Sequence, residues 1–440
     1  MPRIASRTAL LVTALSAAIL AGIRATAEDQ NQSQSSRVSP RASVLEARKR
    51  RPNDPWPRGI GHVILAPPGS REEWKSYHEP GGSFSPTVGS FGVSIWMRQL
   101  GGPIEASSDS IPLDKVRQRL VWPSRLNIPG IETETPYYTA RWTRGTVGTL
   151  AGNATLDLKR PLFADKTTAV VIRSVGPAGG PIRSLHWKGG ELVVNGHWRV
   201  RVTPPPTTVR LGEEGAEHWT LPRLDVKPLT HWAGDSGWGY AMLELPPGPS
   251  ARVEIDDSHP MPQPGLRYES TRSGLELSLP EPRFAESLDA QVAHLMMGLV
   301  GRETRPGDPT NYPLAWLRDG AYTVVALARA GQLDVARQLA TYFAENDFFG
   351  GFGPEADAPG LALWAIEEAS IRQRDHEFDE WLWPHVFRKA EFILEMLDAR
   401  EPIRKLVRGP VVPKHWNDPE LTLVCDPARD GLIVGRMDHH

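Results

Sequence analysis

The segment Tyr312-Pro313-Leu314-Ala315-Trp316-Leu317-Arg318-Asp319-Gly320 sets an indole, a guanidinium and a carboxylate just ahead of a strongly apolar stretch. An Arg and an Asp adjacent in sequence can pin neighbouring hydroxyls of one sugar ring, because hydrogen bonds to ionised groups are short and directional. Trp316 offers a flat apolar face to the C–H side of such a ring. The same residues admit a purely structural role, with Asp319 capping a helix and Arg318 pairing with a distant carboxylate. On the residues alone both remain open.

Chemistry of this kind needs rigid elements behind it. Phe284, Leu288, Val292, Leu295, Met296 and Leu299 recur at spacings that place them on one face of a helix. Further helices are predicted at 320–330, 333–346, 359–374 and 378–399. Gly331 suits a helix stop, since glycine tolerates the left-handed conformation there, and Pro359 suits a first turn, where its missing N–H has no partner to lose. Antiparallel helices on short connections predict a helical array or barrel.

Upstream, residues 56–275 carry short β-branched and aromatic runs between Gly, Pro and Asn punctuation. Strands are predicted at 92–97, 137–142, 168–174, 191–194, 197–202, 239–245 and 251–255, which together predict a β-sandwich. Asn195-Gly196 is the preferred two-residue hairpin turn between two of them. His186 and His197, each beside a tryptophan, are read as structural side chains.

Arg3 and Arg7 precede an apolar run over 8–23 that ends in Ala25-Thr26-Ala27, the pattern of a secretory signal occupying residues 1–27. Residues 28–55, rich in Gln, Ser, Arg and Pro, are expected to form a disordered linker. The chain of 440 residues is long enough for two domains, a β-sandwich over 56–275 and a helical domain over 284–440. With 50 basic and 52 acidic residues it has no global field to draw nucleic acid or an anionic membrane. A single cysteine, Cys425, excludes a disulfide framework and a multi-cysteine zinc site, and is expected to be an inert buried thiol. The sequence singles out no metal ligands and implies no cofactor.

Trp316-Leu317-Arg318-Asp319-Gly320-Ala321-Tyr322 resembles the Trp-x-Arg-Asp signature of six-hairpin glycosidases, the glucoamylase and bacterial trehalase group. Gly351-Phe352-Gly353-Pro354-Glu355-Ala356-Asp357-Ala358-Pro359-Gly360-Leu361 is similar to that family's Trp-Gly-Arg-Pro-Gln-x-Asp-Gly-Pro-x-Leu segment, with Phe352 at the tryptophan and one residue fewer before the proline. The resemblance spans residues 312–361 and implies an α+β multidomain chain, an N-terminal β-sandwich followed by part of an (α/α)6 barrel. It also implies inverting hydrolysis of an α-linked glucoside or related oligosaccharide, with Trp316, Arg318, Asp319, Phe352, Glu355 and Asp357 contacting the sugar. Such hydrolysis uses one carboxylic acid on the leaving oxygen and one carboxylate that activates water. By family order the acid falls near the end of this chain, where Asp438 is the candidate, against a surface carboxylate as the alternative. The base belongs to the late part of the barrel, so a truncated record or a form that binds without hydrolysing is expected. A polysaccharide lyase and a non-catalytic glycan-binding protein are the competing classes. The expected partner is an oligosaccharide or polysaccharide, in a secreted or periplasmic setting, with no nucleic acid and no stable membrane insertion after signal cleavage.

Overall fold

The computed structural model describes residues 40–59, 62–122, 128–144, 154–162, 165–221, 229–259, 265–305, 315–346, 355–405 and 422–435. The signal-like segment 1–27 lies outside them, as do Phe352 and Asp438. The chain divides into two compact units, Met1–Asp54 and Pro55–His440. In the first, Pro40–Arg50 forms helix α1. Composition had placed these residues in a disordered linker. Locally the helix carries a Glu46–Lys49 pair (2.9 Å) one turn apart, and Arg51 just beyond it pairs with Asp54 at 2.8 Å.

The second unit is mixed α and β. Its strands begin with β1 (Val63–Leu65), β2 (Ser76–His78), β3 (Phe84–Ser85), β4 (Gly92–Gln99), β5 (Ile104–Ser107) and β6 (Arg117–Val121). They continue with β7 (Gly130–Glu134), β8 (Thr139–Arg144), β9 (Ala154–Lys159), β10 (Lys166–Arg173), β11 (Ser184–Lys188) and β12 (Glu191–Val194). Then follow β13 (Trp198–Thr203), β14 (Thr208–Glu213), β15 (His231–Ala233), β16 (Gly239–Glu244) and β17 (Ser250–Asp257). One antiparallel sheet runs β1-β2-β3-β4-β10-β16-β14, with β5 also on β4; a second runs β15-β11-β12-β13-β17-β9-β8-β7-β6.

The two sheets fill one core. Val93, Ile95, Val170 and Ile172 from the first meet Trp142, Leu156, Val200 and Val253 from the second, all at most 1% exposed. β10 is buried along nearly its whole length because its other face is covered as well, by a second cluster of Trp96, Ala169, Val171, Trp219, Tyr240 and Met242. That is why Ala169-Val170-Val171-Ile172 is a continuous apolar run rather than an alternating one. The hairpin β12–β13 turns at Asn195 (φ 50°) and Gly196 (φ 79°), the two left-handed positions that a tight turn matching strand twist requires.

The helices follow: α2 (Pro282–Gly298), α3 (Leu317–Arg329), α4 (Leu333–Glu345), α5 (Ala358–Gln373) and α6 (His376–Leu397). Their starts and stops lie within three residues of the predicted ones, and Gly331 takes φ 81° as expected of a helix-terminating glycine. Phe284 departs from the predicted apolar face of α2, being 69% exposed. Val292 and Met296 of α2 join the helical core with Leu317, Val324, Leu339, Phe343 and Ala362, whereas Ala293 and Met297 belong to the core between the sheets. No helix among the described residues is long and apolar enough to cross a membrane.

Beyond α6 the chain returns to strand. β18 (Ile403–Lys405), β19 (Thr422–Arg429) and β20 (Leu432–Gly435) form a three-stranded antiparallel sheet. The predicted helices end at residue 399; among the described residues after 402 the chain forms this small sheet. Cys425 sits in β19, fully buried, and its pKa is raised by that burial.

Candidate functional site

The residues singled out in sequence lie at the starts of α3 and α5, two helices in contact. α3 begins at Leu317 because Trp316, in extended backbone (φ −114°, ψ 123°), ends the incoming chain, and an apolar stripe of Leu317, Ala321, Val324 and Leu327 follows at helical spacing. Gly320 lets the first turn approach its neighbours closely. A Cβ there would lie 1.9 Å from Thr304 Oγ1 and 2.7 Å from Phe343 Cζ. α5 starts after Asp357, with Pro359 in its first turn as predicted.

This packing brings Arg318 to Glu355 and Asp357. Its Nη1 lies 3.2 Å from Glu355 Oε2 and 3.5 Å from Asp357 Oδ2. Burial works against the guanidinium charge, but Glu355, Asp357 and Asp319 together outweigh it and raise the Arg318 pKa. Glu355 is largely buried (8% exposed) and Asp357 is exposed, so the guanidinium bridges an inner and an outer carboxylate. Asp319 stands in the first turn of α3, where a negative charge is favoured by the helix dipole. Its backbone carbonyl accepts from Thr323 Oγ1 at 3.0 Å.

Trp316 does not sit as an open stacking platform. It is 2% exposed, packed beneath the helix start. An indole next to a close-packed glycine turn is drawn into the interior by its own apolar area, which outweighs any surface role. Of the six expected sugar contacts, the structure therefore gathers Arg318, Glu355 and Asp357, keeps Asp319 in the adjoining turn, buries Trp316, and leaves Phe352 outside the described residues. Asp438, the candidate acid, is also outside them. The last residue of β20, Gly435, comes against Ala356, between the two carboxylates: a Cβ on Gly435 would lie 2.7 Å from Ala356 Cβ.

No family model matches this sequence, and no curated protein matches it. Among solved structures the chain is similar to a bacterial glucoamylase complexed with acarbose, at 8% identity and a TM-score of 0.37, over 84% of this chain and 72% of that one. It is also similar to a family GH92 alpha-mannosidase from Bacteroides thetaiotaomicron, at 10% identity and a TM-score of 0.29, over 82% of this chain and 66% of that one. The same mannosidase in complex with mannoimidazole aligns at 10% identity and a TM-score of 0.29.

Two further groups carry chemistry that the sequence did not announce. Glu303 accepts from Arg305 Nη2 at 2.7 Å, and burial raises its carboxyl pKa; nothing in the pattern Gly301-Arg302-Glu303 distinguishes it from a surface turn. On the sheets, His197 Nδ1 and His259 Nδ1 both approach Asp257 Oδ1, at 2.9 and 3.1 Å. His186 pairs across the strands with His231, rings 5.7 Å apart.

Proposed function

We propose that this chain is a secreted carbohydrate-active protein of the glycoside hydrolase type, with a sugar subsite at the starts of α3 and α5. The observation that carries the reading is the convergence of Arg318, Glu355 and Asp357, from segments 37 and 39 residues apart in sequence, at one end of two neighbouring helices. A guanidinium held between two carboxylates presents donors and acceptors in a fixed arrangement, which suits the vicinal hydroxyls of a pyranose. Asp319 adds an acceptor in the next turn.

In this reading residues 56–275 form a β-sandwich domain and 284–440 part of an (α/α)6 barrel, and the substrate is an α-linked glucoside or related oligosaccharide. Hydrolysis proceeds with inversion, Asp438 protonating the leaving oxygen while a carboxylate not assigned within this chain activates water. Residues 1–27 direct export and are removed ahead of Glu28.

The test uses the full chain on a panel of α-glucosides, oligosaccharides and uronate polymers. Binding to neutral oligosaccharides that weakens about 30- to 150-fold in Asp319→Asn supports the subsite, the equivalent of the ~2–3 kcal/mol carried by hydrogen bonds to a charged group. Unchanged affinity with lowered stability assigns Asp319 to the helix instead. Release of unsaturated ends from uronate polymers would replace the hydrolase reading with a lyase. N-terminal sequencing that finds Met1 intact in a cytoplasmic fraction would overturn export.

A further inference from the structure

We propose that His197, Asp257 and His259 form a binding site for a single zinc-type transition-metal ion at the end of the second sheet. The donor atoms of all three side chains lie within 4.8 Å of one another. Two imidazoles and a carboxylate are the donor set that suits zinc, with ligand distances of about 2.0–2.2 Å and a fourth position open to water or a further ligand. A small rotation of the exposed His259 side chain closes the remaining gap.

The backbone prepares this convergence. β13 and β17 pair up to Trp198↔Asp257, and past that point Ser258 N donates to His197 O at 3.1 Å, so the hairpin turn and the strand end are fixed to each other. His259 lies two residues beyond Asp257, just past the end of β17, and its Nδ1 reaches the Asp257 carboxylate at 3.1 Å. Both imidazoles direct Nδ1 to one oxygen, Asp257 Oδ1, which also accepts the backbone N–H of His259 at 3.0 Å. The two rings stand 4.7 Å apart, and the Trp198 ring lies 5.5 Å from that of His197. The carboxylate is only 5% exposed, while the His259 side chain is 64% exposed, so an ion can enter from solvent and meet a fixed ligand. On binding, Nδ1 of each neutral imidazole becomes a ligand while its proton passes through solvent to Nε2 of the same ring, and the ion takes the place of the two hydrogen bonds to the carboxylate.

The experiment strips the purified full chain with a chelator, removes the chelator by dialysis, and titrates zinc chloride against a chromogenic zinc indicator. One zinc per chain is expected, with affinity at least ten-fold weaker in His259→Ala, whose exposed side chain can be removed without disturbing the fold. His197→Ala and Asp257→Asn should weaken it at least as much, while His186→Ala combined with His231→Ala should not change it. Cobalt in place of zinc should give the visible absorption of a four-coordinate ion in the native chain and not in His259→Ala. Absence of saturable binding, or zinc affinity unchanged in the His197→Ala, His259→Ala double variant, overturns the proposal.

Discussion

Arg173 in β10 and Glu214 just after β14 face each other at 2.9 Å with no exposure at all, whereas Arg318 keeps 33% of its side chain accessible while it spans Glu355 and Asp357. The first arrangement is a closed polar interior. Arg173 also lies 5.4 and 5.8 Å from the rings of Trp219 and Trp96 and donates to the Pro55 carbonyl, and Ser174 Oγ donates to the other Glu214 oxygen at 2.9 Å. Every contact there serves folding, and no face is left for a ligand. At the helix starts the charges are paired yet reachable, which is the condition for exchanging a protein partner for a substrate hydroxyl. Burial of charge by itself therefore does not mark a site, and the proposed subsite rests on convergence that solvent can reach.

Removing one member of the closed pair should have the largest effect. Arg173→Met leaves Glu214 and the nearby Asp109 without their cation in the interior, and should cost about 3–5 kcal/mol in a denaturant melt. A loss below about 1 kcal/mol would show that water reaches the pair and would erase the contrast. Gly320→Ala should follow, because the added methyl must displace Thr304 and Phe343; about 1–3 kcal/mol is expected, with oligosaccharide binding falling alongside as the first turn of α3 shifts.

Lys75 provides a pH-dependent test of the closed side. Its Nζ donates to the carbonyls of Met297 and Leu299 at 2.6 and 2.9 Å, and burial, assisted by Arg144, pulls its pKa down to about 7. Below that value the amine is protonated in both states. Between about 7 and its ordinary 10.5 the unfolded chain holds the extra proton, so stability rises with pH through this window. The difference in unfolding free energy between wild type and Lys75→Met should change by up to about 1.4 kcal/mol per pH unit there and level off below 7. A pH-independent difference would mean that the amine stays charged when buried.

The smallest stability change belongs to the accessible side. Arg318→Ala should lower stability by no more than about 1 kcal/mol, since partly exposed ion pairs contribute little, while oligosaccharide affinity drops far more. Equal losses in both would make the trio another structural pair and remove the distinction.

What could be read in sequence follows the range of the forces involved. Asn195-Gly196 set a hairpin by local backbone preference, and the helices from α3 to α6 followed from apolar spacing along one segment. Arg318 and Asp319 stood out because they are neighbours. The pairing of Arg318 with Glu355 depends on α3 and α5 touching, which no local pattern encodes. His197 and Asp257 are 60 residues apart and meet only through the register of β13 with β17. Trp316 shows the same limit: an indole in a motif has the same appearance whether its ring is open to solvent or buried. The strands after α6 have no counterpart among the predicted elements: Thr422–Arg429 contains Pro427, a residue unfavourable to a strand interior and tolerated here next to a register shift between Asp426 and Arg429.

Helix α2 contributes Ala293 and Met297 to the core between the sheets and Val292 and Met296 to the helical core, and Lys75 holds the carbonyls at its C-terminal end. Neither core can lose its packing without stripping one side of that helix, so the strands and helices of this unit should melt in a single cooperative transition. Calorimetry should give one endotherm for the two regions, and amide exchange within α2 should be as slow as in β10, because both open only when the whole unit does.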